Sequence, residues 1–394
     1  MAARFAGEFR PRRRSVRPWP ARNAEAGISV VIPSRNGKDL LAAQLPGIAR
    51  ELERFVAEII VVDNGSDDGT AEWLAAEWPR VRVESSEGPL SFARAVNRGI
   101  ARARYSQVFL LNNDMILEPG FFVALVRAFD RVPGLFCATA QIFFPEGVRR
   151  EETGKAVYAQ PRPDDFPIRC DVQIPGEDLT WVLYGSGGCS LYDMAKLRAL
   201  GSMDQAYEPV YVEDLDIGYR AWLRGWPTVY VAGARLEHRH RATASRYYSS
   251  EQLDAILEVN YLKFLARAVA RHEVFRKLWR QALTRLRLRA PTQWPAWNAL
   301  RDAWRIALEG GAPEDAGYSE DQLLALSGGT IAVVPGGAPG GQVRVVSVER
   351  LEPPAADVLE KYAEIVLVAR SGGEPAFRAA LAEAVRKWGA RVVT

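Results

Sequence analysis

Four short polar clusters interrupt apolar runs, and their residue types set the chemistry this chain could perform. Asp63 opens Asp63-Asn64-Gly65-Ser66-Asp67-Asp68-Gly69, directly after Ile59-Ile60-Val61-Val62. Asn112-Asn113-Asp114 closes Val108-Phe109-Leu110-Leu111. Glu213, Asp214 and Asp216 cluster just before Tyr219 and Trp222, and His238 and His240 are two of the chain's three histidines. Asp114 supplies a hard oxygen ligand of the kind Mg²⁺ or Mn²⁺ accepts. The loop from Asp63 can offer an acceptor to a base edge and small residues such as Ser66 to a ribose. Pro33-Ser34-Arg35 can add backbone contacts and a cation. Gly185-Ser186-Gly187-Gly188 lets backbone approach a ligand closely. The acids at 213–216 also complement a helix N-terminus, worth about 0.3–1 kcal/mol, and Arg220 is spaced for an ordinary i,i+4 pair with Asp216.

The elements that must position these groups alternate. The runs 28–32, 58–62 and 108–111 are rich in strand formers and read as strands buried on both faces. Helical spacing fills 38–55, 70–78, 91–102, 121–130 and 215–224, with further strands at 81–83, 135–144 and 227–232. Strand–helix alternation at this spacing predicts a mostly parallel sheet with helices on both faces. Asp63 and Asp114 then end two strands on one edge, where open α/β sheets bind ligands. Residues 145–180 form a long proline-containing irregular stretch, as functional loops often do.

Beyond this body, 253–288 reads as one long basic amphipathic helix, either packed on the body or lying on a membrane surface. The expected organisation is a basic disordered arm (1–27), a catalytic domain (28–250), a basic helical segment (251–309), a linker (310–329) and a small α/β module (330–394). That module has strands near 330–334, 343–348, 365–369 and 390–394, and the chain stops inside the last one, so a truncated second domain is expected. The glycine-rich stretch 335–341 precedes a strand and not a helix, so it fails as a phosphate loop.

Composition narrows the class. Hydrophobic residues at 48% and charged residues at 25% are those of a globular protein. No stretch approaches the ~20 apolar residues of a membrane span, and 1–27 has no apolar core of a signal peptide. Three widely spaced cysteines, Cys137, Cys170 and Cys189, make neither a disulfide framework nor a zinc pattern, which points to a reducing cytoplasm. Residues 1–27 hold seven arginines against two glutamates, a net +5, which leaves −2 for the rest of a chain whose total is +3. The folded body therefore carries no basic excess and no nucleic-acid partner is expected.

The ordered motifs Ile28–Gly37, Ile60–Thr70, Asn97-Arg98-Gly99-Ile100 and Leu110–Asp114, followed by Glu213-Asp214 and His238, resemble a family-2 inverting glycosyltransferase of the GT-A fold. The resemblance covers about residues 28–270 and is greatest to the bacterial rhamnosyltransferase-like branch that builds surface polysaccharides. It implies a hexosyltransferase-type enzyme that moves a sugar from a UDP-, dTDP- or GDP-sugar to a glycan or lipid-linked acceptor, at the inner face of the cell membrane. Under it, Asp63 hydrogen-bonds the base, and Pro33, Ser34, Arg35, Ser66 and Arg94 surround the nucleotide. Asn112 and Asn113 stand where the metal motif carries its first residues, and Gly187 and Gly188 border the donor sugar. Asp114 and His238 bind Mn²⁺ or Mg²⁺, with Thr243 five residues after the histidine. Asp214 is the general base, with Glu213 as the alternative. Asn in place of the first acid of the metal motif keeps a second reading open, an inactive domain that binds nucleotide or scaffolds partners. A sugar nucleotidyltransferase would want a loop after the first strand richer in Gly and Lys than Pro33–Gly37.

Overall fold

The computed structural model describes residues 18–21, 23–147, 150–151, 179–222, 224–239, 246–268 and 272–295, and four short strands beyond. The sequence also predicts helices at 355–362 and 374–387; these, residues 1–17 of the arm and most of 145–180 lie outside the described residues.

Among the described residues, ten strands form one sheet. In chain order they are β1 (Glu25–Ser34), β2 (Ala57–Asp63), β3 (Arg82–Ser85), β4 (Tyr105–Leu111), β5 (Met115–Leu117), β6 (Cys137–Phe143), β7 (Arg150–Glu151), β8 (Thr180–Val182), β9 (Cys189–Asp193) and β10 (Thr228–His238). They are ordered β3-β2-β1-β4-β9-β6-β10-β5, with β7 added to β6 and β8 to β10. The half β3-β2-β1-β4 is parallel, as expected from its strand–helix alternation. β9 runs antiparallel to both β4 and β6, and β5 antiparallel to β10. The sheet is therefore mixed, with a parallel nucleus.

Alternation along the strands divides the core. Val30, Ile32, Val61, Phe109 and Leu111 face one side, while Val31, Ile60, Val62, Val108 and Leu110 face the other. The first side takes α1 (Lys38–Leu52) through Leu41, Leu45 and Ile48, and α4 (Phe121–Arg131) through Phe121, Phe122 and Leu125. Phe109 meets Phe121 and Phe122 edge-on, with centroids 5.4 and 5.1 Å away. The second side takes α3 (Phe92–Arg102) and α5 (Met194–Ala199). Gly99 is needed there, because a Cβ would overlap Val31. Between β2 and β3 lies the short helix α2 (Thr70–Glu77), and α6 (Glu213–Trp222) follows β9 and α5.

The run 108–111 ends at the Asn112–Asp114 turn, as expected, and 115–117 adds the short strand β5 beside β10. One expectation is corrected. The segment 253–288 is not one helix but two, α7 (Ser250–Ala268) and α8 (His272–Arg289). They are tied by Glu258, which accepts from Arg285 and Arg289 at 3.1 Å each. Tyr261, Leu262, Phe264, Leu265, Leu278 and Trp279 are buried in the body's core. The amphipathic pattern thus reflects packing on the catalytic body. A separate four-stranded sheet is built from β11 (Ile331–Val334), β12 (Arg344–Val346), β13 (Glu364–Val368) and β14 (Arg391–Val393), ordered β12-β11-β13-β14.

Candidate active site

The turn between β4 and β5 is held from several sides. Gln44, on the buried face of α1, donates to the carbonyls of Asn112 and Met115 at 2.6 and 2.7 Å. Asn113 Nδ2 donates to Ser34 Oγ at 2.8 Å, joining the end of β1 to the turn. Asn112 N donates to Gly188 O at 2.8 Å. Two glycines make this packing possible: a Cβ at Gly37 would overlap the Asn113 amide, and one at Gly188 would overlap that of Asn112. Asn112 and Asn113 thus set the shape of the turn, and Asp114 is the carboxylate it presents.

His238 ends β10, and the antiparallel register with β5 sets it opposite Met115. Arg239 N continues the ladder by donating to Asp114 O at 2.8 Å. Side chains from two remote stretches therefore meet, with His238 Nε2 3.5 Å from Asp114 Oδ1. Both residues line one cavity. A carboxylate oxygen and an imidazole nitrogen at this separation suit Mn²⁺, and a single carboxylate with further oxygens from a bound diphosphate suits Mg²⁺. These residues fit a divalent ion that takes its remaining ligands from substrate and water. Among the described residues, no group of three His, Cys, Asp or Glu side chains forms a closed protein cage. His240 and Thr243 lie outside the described residues.

The acids of α6 occupy different environments. Asp214 faces the cavity half-buried, its Oδ2 accepting from Gly187 N at 3.2 Å and its Oδ1 from Leu215 N at 2.8 Å. Glu213 is 3% exposed. Burial, and then the neighbouring charges of Asp214 and Asp216, push its carboxyl well above the usual 4.5, toward the neutral acid. Asp216 is structural: it accepts from Tyr207 OH at 3.0 Å and from Arg220 Nε at 2.7 Å, the i,i+4 pair expected from the sequence. Just before the acids, Tyr211 and Val212 both have left-handed backbones, with φ of 76° and 81°. Such a conformation costs a non-glycine residue about 1–3 kcal/mol, and a β-branched valine adopts it rarely.

The cavity measures about 530 Å³. Pro33, Ser34, Arg35, Asn64 and Leu90 line it, as do Asn112, Asn113, Asp114, Gly187, Gly188 and Asp214. Arg35 lies with its guanidinium 4.1 Å from the centre of the Tyr247 ring. Asp63 and Ser66 are not in the lining. Asp63 is buried, pairs in register with Ser34, and accepts from Ser66 N at 3.3 Å. Asn64 clasps Leu90, donating to its carbonyl and accepting from its N–H at 3.0 and 2.6 Å. Arg94 also stands outside the lining, paired with Glu208.

Four contributors escaped the sequence reading. Gln44 carries a detectable signal, a polar residue on the apolar face between Leu41, Leu45 and Ile48. Tyr247 and Tyr248 line the cavity from beyond His238, and only their adjacency as aromatics hinted at a role. Asn260 ties the loop before Asp214, and its signal is a lone amide in an apolar run.

Comparison with known proteins completes this picture. The family model described as glycosyltransferase like family 2 matches residues 26–253. The chain is 28% identical over 258 residues to the N-acetylglucosaminyl-diphospho-decaprenol L-rhamnosyltransferase of Mycobacterium tuberculosis, covering 55% of this chain and 80% of that one. It is 25% identical over 260 residues to the uncharacterized protein y4gI of Sinorhizobium fredii, covering 62% of this chain but only 28% of that much longer protein. Among solved structures, S. aureus TarS 1-349 in complex with UDP-GlcNAc superposes with a TM-score of 0.49 at 16% identity, over 74% of this chain and 82% of that one. With more than half its length matched by the family model, the chain belongs to the family described as glycosyltransferase like family 2.

Proposed function

We propose that this enzyme transfers a sugar, with inversion and with a divalent metal, from a UDP-, dTDP- or GDP-sugar to a hydroxyl of a glycan or lipid-linked acceptor in surface polysaccharide synthesis. The observation that carries this reading is the convergence of Asp114, His238 and Asp214 on one cavity. Asp114 and His238 would hold Mn²⁺ or Mg²⁺, which supplies positive charge to a departing nucleoside diphosphate. Arg35, braced by Tyr247, adds a cation at the nucleotide end. Ser34, Asn64 and Leu90 line that end, and Asp63 with Ser66 organises the strand edge behind it. Arg94 acts on the loop before α6 through Glu208. Gly187 and Gly188 bring backbone against the donor sugar.

Asp214 is the general base. Gly187 N and Leu215 N orient its carboxylate, which accepts the proton of the attacking hydroxyl as the bond to the anomeric carbon forms. One displacement by that hydroxyl inverts the anomeric centre. Glu213, held toward its neutral form by burial, is poorly suited to the same task. The mycobacterial relative, by its name, acts on a lipid-linked acceptor, and a similar acceptor here would bring the enzyme to the inner face of the cell membrane. No described helix is long and apolar enough to cross a membrane; the arginines of residues 1–27 are the proposed contact with anionic headgroups.

A thermal-shift screen of UDP-, dTDP- and GDP-sugars with and without Mn²⁺ tests the reading, since a ligand of the native state raises its stability. Release of nucleoside diphosphate from the stabilising donor is expected. Silence with every donor in both assays would leave a domain that only binds partners.

A further inference from the structure

The loop Pro209–Val212 lines the cavity and feeds directly into Glu213 and Asp214. Its last two residues hold left-handed backbones that neither tyrosine nor valine favours. Val212 immediately precedes α6, its carbonyl accepting from Asp216 N at 2.9 Å. Something outside the loop must hold this conformation in place.

Asn260 does so from α7. It is 1% exposed, and its Nδ2 donates to the carbonyls of Tyr207, Val210 and Tyr211 at 2.8, 2.8 and 3.2 Å. Two amide protons serve three acceptors, so one bond is shared. Lys263, 5% exposed on the same helix, settles which way the amide points. Its ammonium only donates, and it sits 2.8 Å from Asn260 Oδ1 while also donating to Ala206 O at 3.1 Å. Opposite, Phe92 N donates to Pro209 O at 2.9 Å, and Ser91 and Arg94 bond Glu208. The loop is thus pinned between α3 and α7. Asn260 and Lys263 lie beyond residue 253, where the family match ends.

We infer that Asn260, oriented by Lys263, is a positioning residue that holds the Tyr211–Val212 backbone so that Asp214 faces the acceptor side of the cavity. The inference rests on Asp214 being the base. Removing the amide frees three carbonyls and lets the loop relax, which withdraws the carboxylate while the donor end, built on β1, β2 and β4, keeps its shape.

The test is the steady-state release of nucleoside diphosphate from whichever UDP-, dTDP- or GDP-sugar the full chain turns over fastest, with Mn²⁺. Asn260→Ala is expected to lower kcat by up to about 100-fold, the order of loss that an ångström's misplacement produces, with donor KM within about twofold. Glu258→Gln, on the same helix but bonded to Arg285 and Arg289, is the stability control: it should lower the melting temperature and spare kcat. In a cycle with Asp214→Asn, adding Asn260→Ala should slow the enzyme no further, because both act through one group. Should Asn260→Ala fail to fold, Lys263→Met leaves the amide in place but unoriented and should show a smaller kcat loss of the same kind. An unchanged kcat per folded molecule, a loss matched by weaker donor binding, or additive losses in the cycle would overturn the inference. Full activity of Asp214→Asn would instead remove the base assignment beneath it.

Discussion

His238 Nε2 stands 3.5 Å from Asp114 Oδ1 because β10 runs antiparallel to β5 in a register that sets His238 opposite Met115. If this pair holds the metal, Asp114→Ala and His238→Ala should each abolish the part of the thermal shift that UDP, dTDP or GDP gains from Mn²⁺. The shift from nucleotide alone should persist. Full Mn²⁺-dependent stabilisation in Asp114→Ala would exclude it as a ligand.

Asp214 and Glu213 are neighbours with opposite fates. Asp214→Asn should lower kcat by about 10²–10⁴-fold, the usual share of a general base. Glu213→Gln replaces a buried acid, held toward its neutral form, with its isostere and should stay within a few-fold of wild type. Comparison of the two kcat values at saturating donor distinguishes the roles, and the reverse ranking would exchange them.

The burial of Glu213 also predicts a pH dependence of stability. Its folded pKa lies above its unfolded value, so above pH 4.5 the unfolded chain ionises there while the folded one stays protonated. That contribution is fully present below pH 4.5 and is lost as pH rises toward the folded pKa. Glu213→Gln cannot ionise. Its melting temperature relative to wild type should therefore climb between pH 4.5 and 7, and a difference flat with pH would contradict the burial argument.

Gly188 leaves room for Asn112, and a Cβ there would overlap the amide. Gly188→Ala should cost about 1–3 kcal/mol through overpacking and displace the turn that carries Asp114. Chemical denaturation reads the first effect and donor turnover the second. A stable variant with full turnover would show that the turn yields freely.

Gln44→Leu keeps the helix and its apolar face but leaves the Asn112 and Met115 carbonyls without their donor. Each buried carbonyl so abandoned costs about 1–3 kcal/mol. Loss of stability together with weaker Mn²⁺-dependent nucleotide binding is expected from the same denaturation and thermal-shift measurements. Loss of stability alone would detach Gln44 from the site.

The positions of Asp63 and Asp114 at strand ends were legible because buried strands announce themselves as short β-branched and aromatic runs, and a polar residue after such a run has to sit at the sheet edge. The helix behind Glu213-Asp214 was legible from the spacing of Leu215, Tyr219 and Trp222. Local order and composition therefore decided the fold class, the sheet edge that carries the site and the acids present there. What they could not decide depends on contacts between remote residues. The antiparallel placement of β9 and β5, the splitting of 253–288 into a hairpin, the pairing of Arg94 with Glu208 and the grip of Asn260 on the loop before Asp214 all follow from register and packing. A sequence states which side chains can bond; only the folded backbone states which are within 3 Å of each other. That difference separates Asp114 as one acid in a turn from Asp114 facing His238, and Asp214 from the buried Glu213 beside it.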